Sequence, residues 1–186
     1  DDMVRYFSDI SDAIDIGIIL YNTWWFTAGI GIEPATLVPL RDAEHLVAIK
    51  WSVPKDGNYD AMQEFSHIYN VIDNSSNPVR GHQLGGRGFI SSLAAVNPRH
   101  DLAVWGLLEA KRYDEAEAEF KRTEGSLRET YDKSAKRSGG YRVLKGLMAV
   151  TGRSVGPPRP PTLAMDAADL RRLRELVRSW GWAGGA

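Results

Sequence analysis

Two residues at the ends of apolar runs are of types that could do covalent chemistry. Lys50 follows Leu46-Val47-Ala48-Ile49 and precedes Trp51. Burial at such a strand end strips hydration from an ammonium and favours the neutral amine. A neutral amine in an apolar site can attack a carbonyl carbon and form a Schiff base. Tyr21 ends the preceding apolar run, Ile16-Gly17-Ile18-Ile19-Leu20-Tyr21. A phenol beside an imine can pass protons to and from a substrate oxygen. The plain alternatives are a lysine whose head reaches solvent past the strand and a tyrosine that caps the core with a wet hydroxyl. Two successive strands ending in Tyr and Lys favour the chemical reading, because both side chains would face one pocket.

Other candidates carry less. Gly85-Gly86-Arg87-Gly88 lacks the spacing of a dinucleotide loop and reads as a tight turn into a strand. His45, His67, His82 and His100 are scattered without metal-ligand spacing, so neither a metal nor a cofactor is expected. Trp24 and Trp25, in the loop after Tyr21, either line a substrate pocket or cover the mouth of the sheet.

The elements that must position Tyr21 and Lys50 follow from periodicity. Met3, Tyr6, Phe7, Ile10 and Ile14 fall at helical spacing, so residues 2–14 read as an amphipathic helix. The run 16–21, rich in β-branched residues, and the apolar run 45–52 read as strands buried on both faces, and 69–74 and 88–94 read as a third and a fourth strand. Helices are expected between them at 33–42, 59–67 and 79–84. Such alternation is the mark of βαβ units and a parallel sheet. After Pro98 only helices are expected, at 99–111, 113–136, 141–151 and 166–181, with a Pro-rich link at 156–161. His100 opens the first of them, and Arg171, Arg172, Arg174 and Arg178 form a solvated face of the last.

Composition narrows the function. The 186 residues carry 23 Lys plus Arg against 24 Asp plus Glu, a net charge of −1. That leaves no basic field for nucleic acid or an anionic membrane. There is no cysteine, so disulfides, thiolate nucleophiles and Cys-based zinc sites are excluded. No apolar run approaches the ~20 residues that span a bilayer, and Asp1-Asp2 does not resemble a secretory signal. A cytoplasmic protein is expected.

Leu20-Tyr21-Asn22, Val47-Ala48-Ile49-Lys50 and Gly85-Gly86-Arg87-Gly88-Phe89-Ile90-Ser91, in this order and spacing, resemble the dihydrodipicolinate synthase and N-acetylneuraminate lyase family. Glu115-Ala116, Lys145-Gly146-Leu147, Thr151-Gly152 and Pro160-Pro161 echo its C-terminal extension, and the likeness runs from Asp1 to Trp182. The resemblance implies a (β/α)8 barrel whose strand-six lysine forms a Schiff base with a 2-oxo acid. Lys50 matches that lysine, and Tyr21 matches the tyrosine that relays protons and holds the substrate's carboxylate end. Ile90 would place its backbone carbonyl near the lysine. Ser52 matches a position whose hydroxyl contacts substrate in the lyases.

Two departures bear on the substrate. The synthases follow Tyr-Asn with a Pro and then an Arg that binds a substrate carboxylate; here Phe26 stands at the Arg position. Where the lyases hold sugar hydroxyls with acidic residues, this chain offers Asn74 and Ser75. The resemblance therefore implies a lyase of 2-oxo acid and aldehyde, but with neither aspartate semialdehyde nor sialic acid as substrate. Trp24, Trp25, Phe26 and Trp51 suggest a bulkier, less polar partner. Family members commonly form dimers or tetramers, so a homo-oligomer is expected.

A complete barrel needs eight strands and about 250 residues; this sequence supplies four strands. Residues 1–97 read as the second half of a (β/α)8 barrel, strands five to eight. Residues 98–186 read as helices closing the barrel plus a C-terminal helical extension. Something resembling the first four β/α units is expected to precede or accompany Asp1. Either the polypeptide is cut or incompletely represented and lacks its first half, or a separate chain supplies strands one to four, or the fragment is a non-catalytic binding and assembly module that self-associates through its open edges. Intact Lys50 and Tyr21 favour the first.

Overall fold

The computed structural model describes residues 2–138 and 140–182, of which 132–138 are described by their backbone alone. Asp1, and the last four residues of the 98–186 segment, lie outside the described residues. The chain forms two compact units that divide between Ile90 and Ser91.

The first unit begins with α1 (Asp2–Ala13), whose Met3, Val4 and Phe7 pack on the core. Tyr6 instead faces solvent. Four strands follow: β1 (Ile18–Tyr21), β2 (Leu46–Trp51), β3 (Asn70–Asp73) and β4 (Gly88–Phe89). They pair in parallel in the order β1-β2-β3-β4. Each strand lies beside its predecessor with no reversal of order. That is the winding of a barrel, whereas a doubly wound sheet switches direction.

The intervening segments are tighter than expected. Residues 33–42 form α2 (Pro34–Leu37) running into a 3-10 turn at Val38–Asp42, where Pro39 removes an amide donor. Residues 59–64 form a 3-10 turn instead of the α-helix expected over 59–67. α3 spans Pro78–Gln83.

All of these pack on one face of the sheet. Leu20, Ile49, Trp51 and Val71 meet Leu37, Leu40, Met62 and Phe65 there. The expectation of strands buried on both faces is therefore corrected. Successive strand residues alternate faces, and Ile19 and Tyr21, 56% and 38% exposed, lie on the face that no element of this unit covers.

β4 is also shorter than the expected 88–94. The amide of Ile90 donates the last ladder bond, 2.7 Å to Asp73 O, because β3 ends there. The Ser91 hydroxyl then accepts from Leu93 N at 3.1 Å and turns the chain into a 3-10 turn at Leu93–Ala95.

The second unit holds α4 (Pro98–Glu109), α5 (Tyr113–Ser138), α6 (Gly140–Val150) and α7 (Ala167–Ser179). Its core gathers Val143, Leu147, Leu173, Val177 and Trp180. A capping box between Asp166 and Asp169 starts α7, and its four arginines face solvent. His100, buried near the start of α4, bonds Glu119 at 3.0 Å and Thr123 at 3.1 Å. Among the described residues no helix is long and apolar enough to cross a membrane.

Candidate active site

The C-terminal ends of β1 and β2 set the site. Tyr21 and Lys50 are register partners, and paired residues on neighbouring strands present their side chains to the same face. The Lys50 Nζ lies 3.9 Å from the centre of the Tyr21 ring, a cation held over an aromatic face. Lys50 is half-buried, on the sheet face away from the helices.

Just beyond the strands, polar residues tie the ends together. Asn22 is fully buried, and its side chain both accepts from Ile32 N at 3.0 Å and donates to Ser52 O at 3.4 Å. A side-chain amide accepts with its oxygen and donates with its nitrogen at once, which gives the Asn after Tyr21 a structural reason. Ser52 is buried, and its Oγ accepts from Asn74 Nδ2 at 3.0 Å. The same Nδ2 donates to Tyr21 Oη at 3.1 Å. Tyr21, Lys50, Ser52 and Asn74 thus form one cluster drawn from three successive strands.

The aromatic residues divide. Trp25, 42% exposed, stands edge-on to Tyr21 with ring centres 6.0 Å apart. Trp24 adjoins Trp25 at 5.7 Å and donates its Nε1 to Val53 O at 3.0 Å. Phe26, 81% exposed, meets Trp25 at 6.0 Å and not Tyr21. Trp51 belongs elsewhere, contrary to its grouping with the pocket aromatics. It is one residue past Lys50, so its side chain enters the helix-covered core, 5.0 Å from the Phe65 ring, with Nε1 donating to Tyr59 O at 3.1 Å. Ile90 follows β4, with β3 between its strand and that of Lys50, and its side chain is half-exposed.

One functional candidate escapes a reading by residue type. Asp73, on the helix side of β3, is buried, with its carboxylate accepting from Tyr59 Oη at 2.8 Å. It also accepts from Ser75 N at 3.0 Å and Asn77 N at 2.8 Å. Burial pushes the Asp73 carboxyl above the usual carboxylate range against these hydrogen bonds, and burial likewise raises the Tyr59 phenol. The available signal was an Asp at the core-facing position of an apolar strand, followed by turn formers. Among the described residues no group of three or more His, Cys, Asp or Glu could hold a metal ion.

A parallel α/β sheet carrying a lysine and a tyrosine side by side at its strand ends defines the class, and comparison with known proteins gives the family. The model of the Dihydrodipicolinate synthetase family matches residues 1–179, and the chain belongs to that family. It is similar to 4-hydroxy-tetrahydrodipicolinate synthase 1 of Clostridium acetobutylicum, 28% identical over 96% of this chain and 60% of the relative. In fold it resembles YagE, a prophage protein of the dihydrodipicolinic acid synthase family from E. coli K12 solved with pyruvate. That likeness has a TM-score of 0.77 at 19% identity, over 97% of this chain and 61% of the other. Dihydrodipicolinate synthase from Aquifex aeolicus gives a TM-score of 0.74 at 20% identity, over 98% and 61%. The chain therefore spans about three fifths of the length of the relatives it matches.

Proposed function

We propose that this chain carries the Schiff-base half of a lyase that joins or cleaves a 2-oxo acid and an aldehyde, or dehydrates such an acid. The Lys50 amine attacks the keto carbon, water leaves, and an imine forms. Loss of a proton from the adjacent carbon gives an enamine that attacks the aldehyde carbon; hydrolysis then releases the product and restores the amine. Cleavage runs the same steps in reverse. Tyr21 carries protons between substrate oxygen and solvent, while Ser52, Asn74 and the backbone of Ile90 line the binding face.

The observation that carries this reading is the register pairing of Tyr21 with Lys50, Nζ beside the ring, at the strand ends where barrel enzymes keep their chemistry. Family membership and the pyruvate bound to YagE support it. Trp24, Trp25 and Phe26 provide an apolar wall for the aldehyde's tail. Without a guanidinium at Phe26 the site disfavours a carboxylated aldehyde such as aspartate semialdehyde, and without carboxylates at Asn74 and Ser75 it disfavours a sialic acid.

In this reading residues 1–97 are strands five to eight of a (β/α)8 barrel and residues 98–186 its later helices and C-terminal extension. Strands one to four belong to the rest of the protein, which works as a cytoplasmic dimer or tetramer. Borohydride reduction of the whole protein with pyruvate tests the chemistry: an adduct on Lys50 is expected, and its absence refutes the reading.

A further inference from the structure

Resting on the reading of Tyr21 as the proton carrier, we propose that Asp73 is a positioning residue that acts through Asn74 to hold the Tyr21 hydroxyl. Asp73 faces the helix-covered core and is 2% exposed, so it has no access to a substrate on the opposite face. Its carboxylate gathers Tyr59 Oη, Ser75 N and Asn77 N within 3.0 Å. Two of these donors are backbone amides of the turn that follows β3. The buried carboxylate therefore sets the path of that turn, as an Asx turn does.

Asn74 lies between Asp73 and Ser75. Its amide donates to Trp51 O at 2.8 Å, continuing the ladder with β2. Alternation sends its side chain to the face opposite Asp73, where Nδ2 reaches Tyr21 Oη at 3.1 Å and Ser52 Oγ at 3.0 Å. An amide nitrogen has two hydrogens, and this geometry uses both. Tyr21 then accepts through its oxygen and keeps its own hydrogen for a substrate.

The clamp also needs space. A Cβ at Gly81 would meet Tyr59 Oη at 2.8 Å and the Asp73 Cβ at 3.3 Å. Glycine at 81 is what lets Tyr59 and Asp73 close together under α3.

Asp73→Asn keeps the shape but turns an amide NH2 toward one of the donors now bonded to the carboxylate. In the whole protein its kcat is expected to fall on the order of tenfold to a hundredfold, the range for a misplaced group. KM for pyruvate should change by less than kcat does, since Asp73 itself makes no contact with the substrate face. Asn74→Ala should lose as much, and the double variant no more than Asn74→Ala alone. A folded Asp73→Asn with parental kcat, or losses that multiply in the double variant, would overturn the proposal.

A second reading needs no turnover. In protein labelled with 15N at asparagine, Tyr21→Phe should shift the Asn74 side-chain amide resonances in the parent but not in Asp73→Asn. Equal shifts in both overturn the proposal even if pyruvate forms no imine, so the two readings fail separately. Should Asp73→Asn not fold, Tyr59→Phe removes one donor and keeps both the ring and the carboxylate. A smaller loss is then expected that vanishes in the Asn74→Ala background, and a loss persisting there contradicts the proposal.

Discussion

Tyr21 and Lys50 stand opposite one another on neighbouring parallel strands, with the lysine nitrogen 3.9 Å from the centre of the tyrosine ring. The ring attracts the cation through its quadrupole, while its hydroxyl, at the ring's edge, is engaged by Asn74. One side chain thus packs its ring face against the nucleophile's nitrogen and offers a proton-carrying group at its rim.

Lys50→Arg keeps a cation available to the Tyr21 ring but cannot form an imine. Trapping with pyruvate and borohydride should disappear while circular dichroism and melting stay parental. Tyr21→Phe keeps the ring and loses the hydroxyl; turnover should drop roughly 10²- to 10⁴-fold, the usual worth of a positioned acid-base group. Undiminished turnover in Tyr21→Phe would take the proton role away from Tyr21.

Trp25→Ala should act on selectivity. With benzaldehyde and acetaldehyde as competing partners for pyruvate, kcat/KM for the aryl aldehyde should fall about tenfold or more, as expected for lost apolar contact. The value for acetaldehyde should hold. Phe26→Arg, at a solvent-exposed position, should raise the value for aspartate semialdehyde. Equal effects of Trp25→Ala on both aldehydes would mean that Trp25 does not touch the tail.

Trp51→Ala should behave as a core deletion. Trp51 is fully buried against Phe65 and bonded to Tyr59 O, so unfolding free energy should fall by about 3–5 kcal/mol, read by denaturant titration. The aldehyde preference of the surviving folded fraction should not change.

Asp101 sets a pH dependence of stability. Burial raises its carboxyl above the ordinary range, and Glu124 adds to the rise, while the Ser91 hydrogen bond and His100 oppose it. Its Oδ2 is buried without a partner. With the folded value above the unfolded one, the folded state binds the proton more tightly. The group's stabilising contribution is then whole below about pH 4 and is lost as pH rises through the folded value. Asp101→Asn lacks this titration. The melting difference, variant minus parent, should therefore grow from about pH 4 upward before levelling; a difference independent of pH refutes the assignment.

What could be read from sequence was whatever depends on local period and residue type. Ile18-Ile19-Leu20-Tyr21 and Leu46 to Trp51 declared strands, and their shared ending in Tyr and Lys declared the pair. The distribution of Trp51 and Trp25 to opposite faces was not legible from residue type, because both are tryptophans near Lys50. Strand parity decides it, once β2 is known to run through Trp51. The length of β4 depended on where its partner β3 stops, a pairing that residues 88–94 do not encode themselves. The same holds for Asp73, whose role rests on Tyr59 and on backbone amides of its own turn.

The central claim is that Lys50 is the imine-forming amine. The whole protein should be incubated with pyruvate, reduced with borohydride, digested and mapped by mass spectrometry. A single reduced pyruvyl adduct is expected, on the peptide containing Lys50, and none in Lys50→Arg. An adduct confined to another lysine, or none at all in folded protein, would contradict it.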